Sequence, residues 1–381
     1  MKKIVLIALI ATQSFGSANQ TADLTPVLVN KPLPFSVSLQ LADFTVPGGI
    51  HSAAAAQYGS EVLYIAGRTN GLHGFSNTND NFPPLQQNTN VIVINLHTKK
   101  VTTRSLHDPL SGLTQQQIDT LSVTSPQSYQ CGKRLYITGG YGVVTGSTPL
   151  TFSTKDTLSS IDVPGLIHWV THPDCPTRAS KYIRQISNPV FQVTGGAMYQ
   201  AGKDPTLLMF GQNFVGAYTG PSNGVYTQQV RRFRIIDNGN YLGVIVCQPT
   251  QADTNFRRRD LNVVPMIKVN HDKKKIAAFV ALSGVFTPDT GVWTVPVEIC
   301  ANGNTFMADP TLPTTFKQGM NNYVCPHAEL LAKSGSMYTI LFGGLTFEYF
   351  QDGEFLTDPE IPFTNNITVV KRNRCGLYEQ Y

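Results

Sequence analysis

The sequence predicts an all-β fold assembled from repeated four-stranded antiparallel sheets, and three observations predict it. First, only 14% of the 381 residues are charged, while 32 are Gly and 24 are Pro. A chain poor in charge and rich in turn formers reads as strands joined by many turns. Second, no amphipathic helical window runs longer than about two turns. Third, five segments repeat one pattern, an apolar strand that ends in glycine.

Those segments are 62–67 (VLYIAG), 135–140 (LYITGG), 207–211 (LLMFG), 277–284 (AAFVALSG) and 338–344 (YTILFGG). Their final glycines, at 67, 140, 211, 284 and 344, are spaced 73, 71, 73 and 60 residues apart. Each strand follows another apolar stretch and a tight polar turn, at 58–61, 131–133, 202–204, 271–273 and 334–336. Such turns make hairpins. A longer loop then leads to a third strand, a second tight turn and a fourth strand. Residues 90–105 show this best, with His97-Thr98-Lys99 as the turn. Residues 231–247 turn at Asp237-Asn238-Gly239, and residues 292–307 turn at Ala301-Asn302-Gly303. Four antiparallel strands per repeat, arranged radially, make the blade of a β-propeller. Five blades are visible. Residues 36–41 (SVSLQL) read as one further strand and 377–381 as a rival for the same closing place, so a sixth blade is the alternative.

The repeat resembles the kelch family. Gly139-Gly140 and Gly343-Gly344 match its glycine doublet. His51-Ser52-Ala53 and His327-Ala328 resemble the start of its first strand. Trp169, Tyr241 and Phe306 fall near its tryptophan position, where the first repeat has Val101. The resemblance covers about residues 45–381 and implies a propeller. The period exceeds the usual kelch length of about 50, and three doublets carry another residue in the first place. His51 and His327 recur at one position of the repeat, which assigns them to hydrogen bonding within each blade.

The N-terminus has Lys2 and Lys3, an apolar run at 4–11 and small residues at Gly16 and Ala18. This is the pattern of a secretory signal peptide, too short to span a bilayer. The expected organisation is a signal peptide at 1–18, a linker at 19–34 and a propeller at 35–381. The expected location is therefore extracellular, periplasmic or on the cell surface, with no membrane span. The net charge of +5 includes +2 from the leader lysines, too mild a balance for nucleic-acid binding. Cys131, Cys175, Cys247, Cys300, Cys325 and Cys375 could pair in 15 ways. Up to three structural disulfides or simply buried thiols both fit an exported chain.

The extra length of each repeat falls on one class of connection. The loops between second and third strands are read as 68–89, 141–151, 212–225, 285–291 and 345–363. Those between blades are read as 107–121, 171–186, 248–262 and 309–321. Insertions on one face mark the binding face of a repeat protein. That face carries Arg68, Asn70, His73, Asn213 and Tyr218, and Arg184 is read as leading into the third repeat. Arg257-Arg258-Arg259-Asp260 leads into the first strand of the fourth. Alternation lets only one of Arg258 and Arg259 face the channel, and Arg259 is the choice. With Asp260 beside it, Arg259 either grips a carboxylate or sulfate or locks neighbouring blades together.

The expected function is a non-catalytic, monomeric binding scaffold for a protein or glycan ligand, anionic if the arginines touch it. Candidate residues are Arg259, Asp260, Arg68, His73, Arg184, Asn213 and Glu329. No metal or cofactor is expected. The alternative is a carbohydrate-active epimerase or mutarotase of an acidic sugar, a chemistry the kelch resemblance allows. Glu329 facing the arginines would be its acid or base. The histidines lack copper-ligand spacing, and no GxSxG, HExxH or P-loop occurs. Residues 287–293 (TPDTGVW) fall one residue short of the Asp-box of sialidases and read as a turn. Residues 77–81 (NTNDN) lack the spaced carboxylates of a calcium loop.

Overall fold

The computed structural model describes residues 32–381 except 75, 77, 79, 220–223, 270–273, 289–290, 324, 353 and 359–362. The signal peptide, most of the linker and the turn at 271–273 therefore lie outside the described residues. So do Asn77 and Asn79, and two residues of the near Asp-box.

The fold is an all-β propeller of five four-stranded antiparallel blades, each with its strands in sequence order across the sheet. The chain divides into two compact units. The first, residues 42–259, holds three blades. Blade one is Ala54–Tyr58, Glu61–Ile65, Asn90–Asn95 and Val101–Ser105. Blade two is Gln127–Cys131, Arg134–Thr138, Thr157–Asp162 and Ile183–Ser187. Blade three is Ala197–Tyr199, Thr206–Met209, Val230–Asp237 and Leu242–Cys247. The second unit, residues 260–381 with the N-terminal residues up to 41, holds two. Blade four is Asn262–Val269, Lys275–Leu282, Val297–Cys300 and Thr305–Met307. Blade five is His327–Leu331, Met337–Phe342, Ile367–Arg372 and Tyr378–Gln380.

The second strands, and Asn90–Asn95 in blade one, are largely apolar because both of their faces are covered. Successive side chains of a strand point to opposite faces. Val91 and Val93 enter a core with Leu63, Leu135 and Ile161, while Ile92 and Ile94 pack on Val46. Blades two and three share Leu158, Phe191, Leu208 and Phe233. In the second unit, Val264, Val280, Leu341 and Val370 play that part.

The glycine-ended strand has a physical reason. All five second strands are followed by two residues of positive φ: Ala66-Gly67, Gly139-Gly140, Phe210-Gly211, Ser283-Gly284 and Gly343-Gly344. At the second place space is also short. A Cβ on Gly67 would lie 2.5 Å from the His51 carbonyl oxygen, and one on Gly140 2.4 Å from Val123 Cγ2. At the first place Ala66, Phe210 and Ser283 tolerate the left-handed backbone, at roughly 1–2 kcal/mol each. The degraded doublets are thus degraded only where the backbone can bear it. The second glycine also stitches blades: Gly67 N donates to Val123 O at 2.7 Å, and Gly140 N to Val193 O at 2.8 Å.

Several sequence expectations need correction. Residues 36–41 form no strand. Phe35 and Val37 pack on blade five, whose fourth strand is Tyr378–Gln380, so the rival reading holds. Trp169 does not open a fourth strand. It lies in the helix Val163–Thr171, buried with Val163, Leu166, Ile167 and Val170. Those residues repeat at three and four, the helical spacing that a strand reading overlooked. The connection between third and fourth strands of blade two is consequently long. Arg184 sits within the fourth strand of blade two, not ahead of blade three. In blade four the third strand begins only at Val297. A second helix, Gln115–Leu121, opens with a capping box on Thr114 and Gln117. All six cysteines are free thiols. Burial pushes the Cys325 thiol up to about 12, which keeps it protonated and unreactive.

Candidate functional site

The first unit gathers its chemistry where the connections 66–89, 139–156 and 210–229 meet. Blades one, two, three and five build this region alike. The residue after the glycine exchanges two backbone hydrogen bonds with a residue just ahead of the first strand. The pairs are Arg68 with His51, Tyr141 with Thr124, Gln212 with Thr194 and Leu345 with Tyr323. The residue after each partner is left-handed in Ser52, Ser125 and Gly195, and Asp260 has the same conformation after Arg259. Arg259 therefore occupies in its segment the place that His51, Thr124 and Thr194 hold in theirs.

Aromatic rings fill the meeting point. Tyr141 stacks on Phe152 at 5.8 Å and meets Phe82 and Phe214 edge-on at 5.3 and 5.6 Å. Tyr218 lies 5.4 Å from both Phe82 and Phe214. Polar bonds lock the loops around them. Gln87 accepts from Val143 N at 2.9 Å and donates to Ser122 O at 2.7 Å. Asn81 Nδ2 donates to Tyr218 O at 2.8 Å, and Tyr141 Oη to Gly216 O at 2.6 Å.

Cations sit among these rings. Arg68 is 3% exposed, with its guanidinium 4.4 Å from the Phe82 centroid. Its Nε donates to Asn70 Oδ1 at 2.8 Å, while Nη2 is buried without a hydrogen-bond partner. Burial brings Arg68 down to about 10. Arg259 is 7% exposed, and its Nη2 donates to Tyr218 Oη at 3.0 Å. His73 stacks on Phe82 at 4.7 Å and meets Tyr218 at 4.8 Å. Its Nδ1 donates to Gly74 O at 2.7 Å. Burial lowers His73 to about 4; that bond opposes the shift, and the charges of Arg259, Arg68 and His51 add to it. His51 also falls to about 4, through burial and then the Arg68 charge, against its hydrogen bond to the Gly71 carbonyl. Both imidazoles are neutral at neutral pH. Between Arg68, Asn70, Phe82, Gln87, Thr124 and Tyr141 lies a recess of about 10 Å³, near the threshold for one water.

Of the sequence candidates, Arg68, His73 and Arg259 thus come together. Asn213 lies in a short hairpin of the third connection, its Oδ1 buried and unpartnered. Asp260 contributes a left-handed backbone. Arg184 is elsewhere: its Nη2 pairs with Asp237 at 2.6 Å and its Nη1 donates to Gly239 O. It ties blade two to blade three. Arg258 is fully buried, its Nε donating to Asn255 O at 3.3 Å. Glu329, in the second unit, bonds His327 Nδ1 at 2.6 Å on its own strand. Sequence reasoning missed Phe82, Tyr141, Phe152 and Phe214. Tyr141 could have been found, because it follows its glycine as Arg68 follows Gly67.

Electrostatically the site favours an anion. Buried guanidinium groups act in a low dielectric, where charge-assisted hydrogen bonds are strong. Among the described residues no carboxylate pairs with Arg68. Half-buried His73, Phe82 and Tyr218 form the accessible rim. No helix in the described residues is long and apolar enough to cross a membrane.

No protein-family model and no curated relative matches the chain. A solved structure described as "Structure of YjhT" superposes with a TM-score of 0.39 and 10% identity, over 85% of this chain and 95% of that one.

Proposed function

We propose that the protein is an exported, kelch-like binding scaffold that holds an anionic ligand, a carboxylated or sulfated glycan, at Arg259, His73 and Tyr218. The observation that carries this reading is the burial of Arg68 and Arg259 around His73, whose fall to about 4 reflects burial and both arginines. A carboxylate or sulfate at the rim would meet this positive field and accept charge-assisted hydrogen bonds from Arg259. The half-buried ring of Tyr218 offers an apolar face to a sugar ring. Export through the N-terminal leader would bring the protein to such ligands. The acid that the epimerase alternative needs, Glu329, is hydrogen-bonded by His327.

A binding screen of acidic and neutral glycans against the wild type and Arg259→Ala tests the proposal. Acidic glycans should bind the wild type and lose about 1.5–3 kcal/mol in the variant, the usual worth of a hydrogen bond to a charged group. Binding of neutral glycans only, or equal binding by a folded Arg259→Ala, would overturn it.

A further inference from the structure

We propose that the recess beside Arg68 holds a chloride ion. Arg68 is 3% exposed and its Nη2 is buried with no hydrogen-bond partner. Its Nε is already engaged by Asn70, so the guanidinium cannot present the Nε–Nη2 edge to a carboxylate. The recess that Arg68 lines has about 10 Å³ of water-accessible space, which suits a single water-sized body.

A water would satisfy the hydrogen bond and leave the charge. Phe82, Tyr141 and Phe152 wall the recess with apolar surface, and a buried charge without a counter-charge costs several kcal/mol. A halide satisfies the N–H and the charge together. Two glutamines of the wall are engaged elsewhere. Gln87 is committed to Ser122 and Val143, and Gln86 Oε1 accepts from Thr69. By neutralising Arg68 a chloride would fix the loop between the second and third strands of blade one, which supplies His73 and Phe82 to the rim. The site does not rest on the glycan reading, because it engages Arg68 rather than Arg259.

The test is crystallisation of the whole chain in bromide, with the anomalous signal recorded. The expected result is one bromide peak within hydrogen-bond distance of Arg68 Nη2. A water or no density there, with bromide elsewhere on the surface, overturns the proposal. Melting is the second measurement. The wild type should melt about 2 °C or more higher in sodium chloride than in sodium gluconate at equal ionic strength, and Arg68→Gln should lose that difference. Equal melting in both salts counts against a chloride site. Should Arg68→Gln fail to fold, the bromide map and the wild-type salt comparison still decide.

Discussion

Gly140→Ala tests why the repeat needs its glycine. Gly140 has φ +82, and a Cβ there would meet Val123 Cγ2 at 2.4 Å and Val123 Cβ at 2.8 Å. Holding alanine in the left-handed region costs roughly 1–2 kcal/mol. Displacing a buried valine adds roughly 1–3 kcal/mol of overpacking. The two give about 2–5 kcal/mol in all. Gly132→Ala is the matched control, since Gly132 has φ +57 and nothing within 4 Å of its added Cβ. It should lose only the first part, roughly 1–2 kcal/mol. Urea unfolding of both variants, followed by circular dichroism, reads the difference. Equal losses would refute the claim that close approach between blades, rather than backbone conformation alone, selects this glycine.

Three further outcomes follow from the same geometry. Arg184→Ala should cost about 1.5–3 kcal/mol, because Asp237 loses its charged partner but keeps Ser160, Tyr136 and Gly239 N, and should leave ligand affinity unchanged; a stable variant with weakened binding would return Arg184 to the site. Trp169 is 1% exposed and holds the Arg104 guanidinium 4.3 Å above its ring, so Trp169→Ala should lose about 3–5 kcal/mol in thermal or denaturant unfolding. His51 and His73 fall from 6.5 to about 4 on folding. Below pH 6.5 the unfolded histidines bind protons that the folded ones refuse, so their contribution to stability is intact above 6.5, declines as pH drops, and levels off below about 4. The limiting loss is about 3 kcal/mol per histidine, and denaturant titrations in that window should lose the decline in a His51→Gln, His73→Gln double variant.

The fold was legible because its strongest constraint is local. Gly67, Gly140, Gly211, Gly284 and Gly344 each stand where a left-handed backbone is required, and apolar strands precede them. The tight turns at Gly132 and Gly239 were equally plain. What escaped the reading depends on contacts distant in sequence. The helix Val163–Thr171 was masked by β-branched and aromatic residues that also suit a strand. Residues 36–41 alternate as a strand does, but no partner strand pairs with them. At the site, Arg68 and Arg259 were accessible through strand direction, since both lie at one end of their hairpins. Arg184 failed because the long connection in blade two shifted it into a fourth strand. The rings of Phe82, Tyr141, Phe152 and Phe214 carry no motif; three separate loops bring them together, and only the three-dimensional structure reveals that meeting.

The central claim is that the first unit binds an anionic group at Arg259, with His73 and Tyr218 beside it. A crystal structure of the complex with the tightest acidic glycan from the binding screen tests it most directly. The account predicts the ligand's carboxylate or sulfate within hydrogen-bond distance of the Arg259 guanidinium, its sugar ring against Tyr218. A ligand seated away from Arg259, His73 and Tyr218, or one whose acidic group points into solvent, would contradict it.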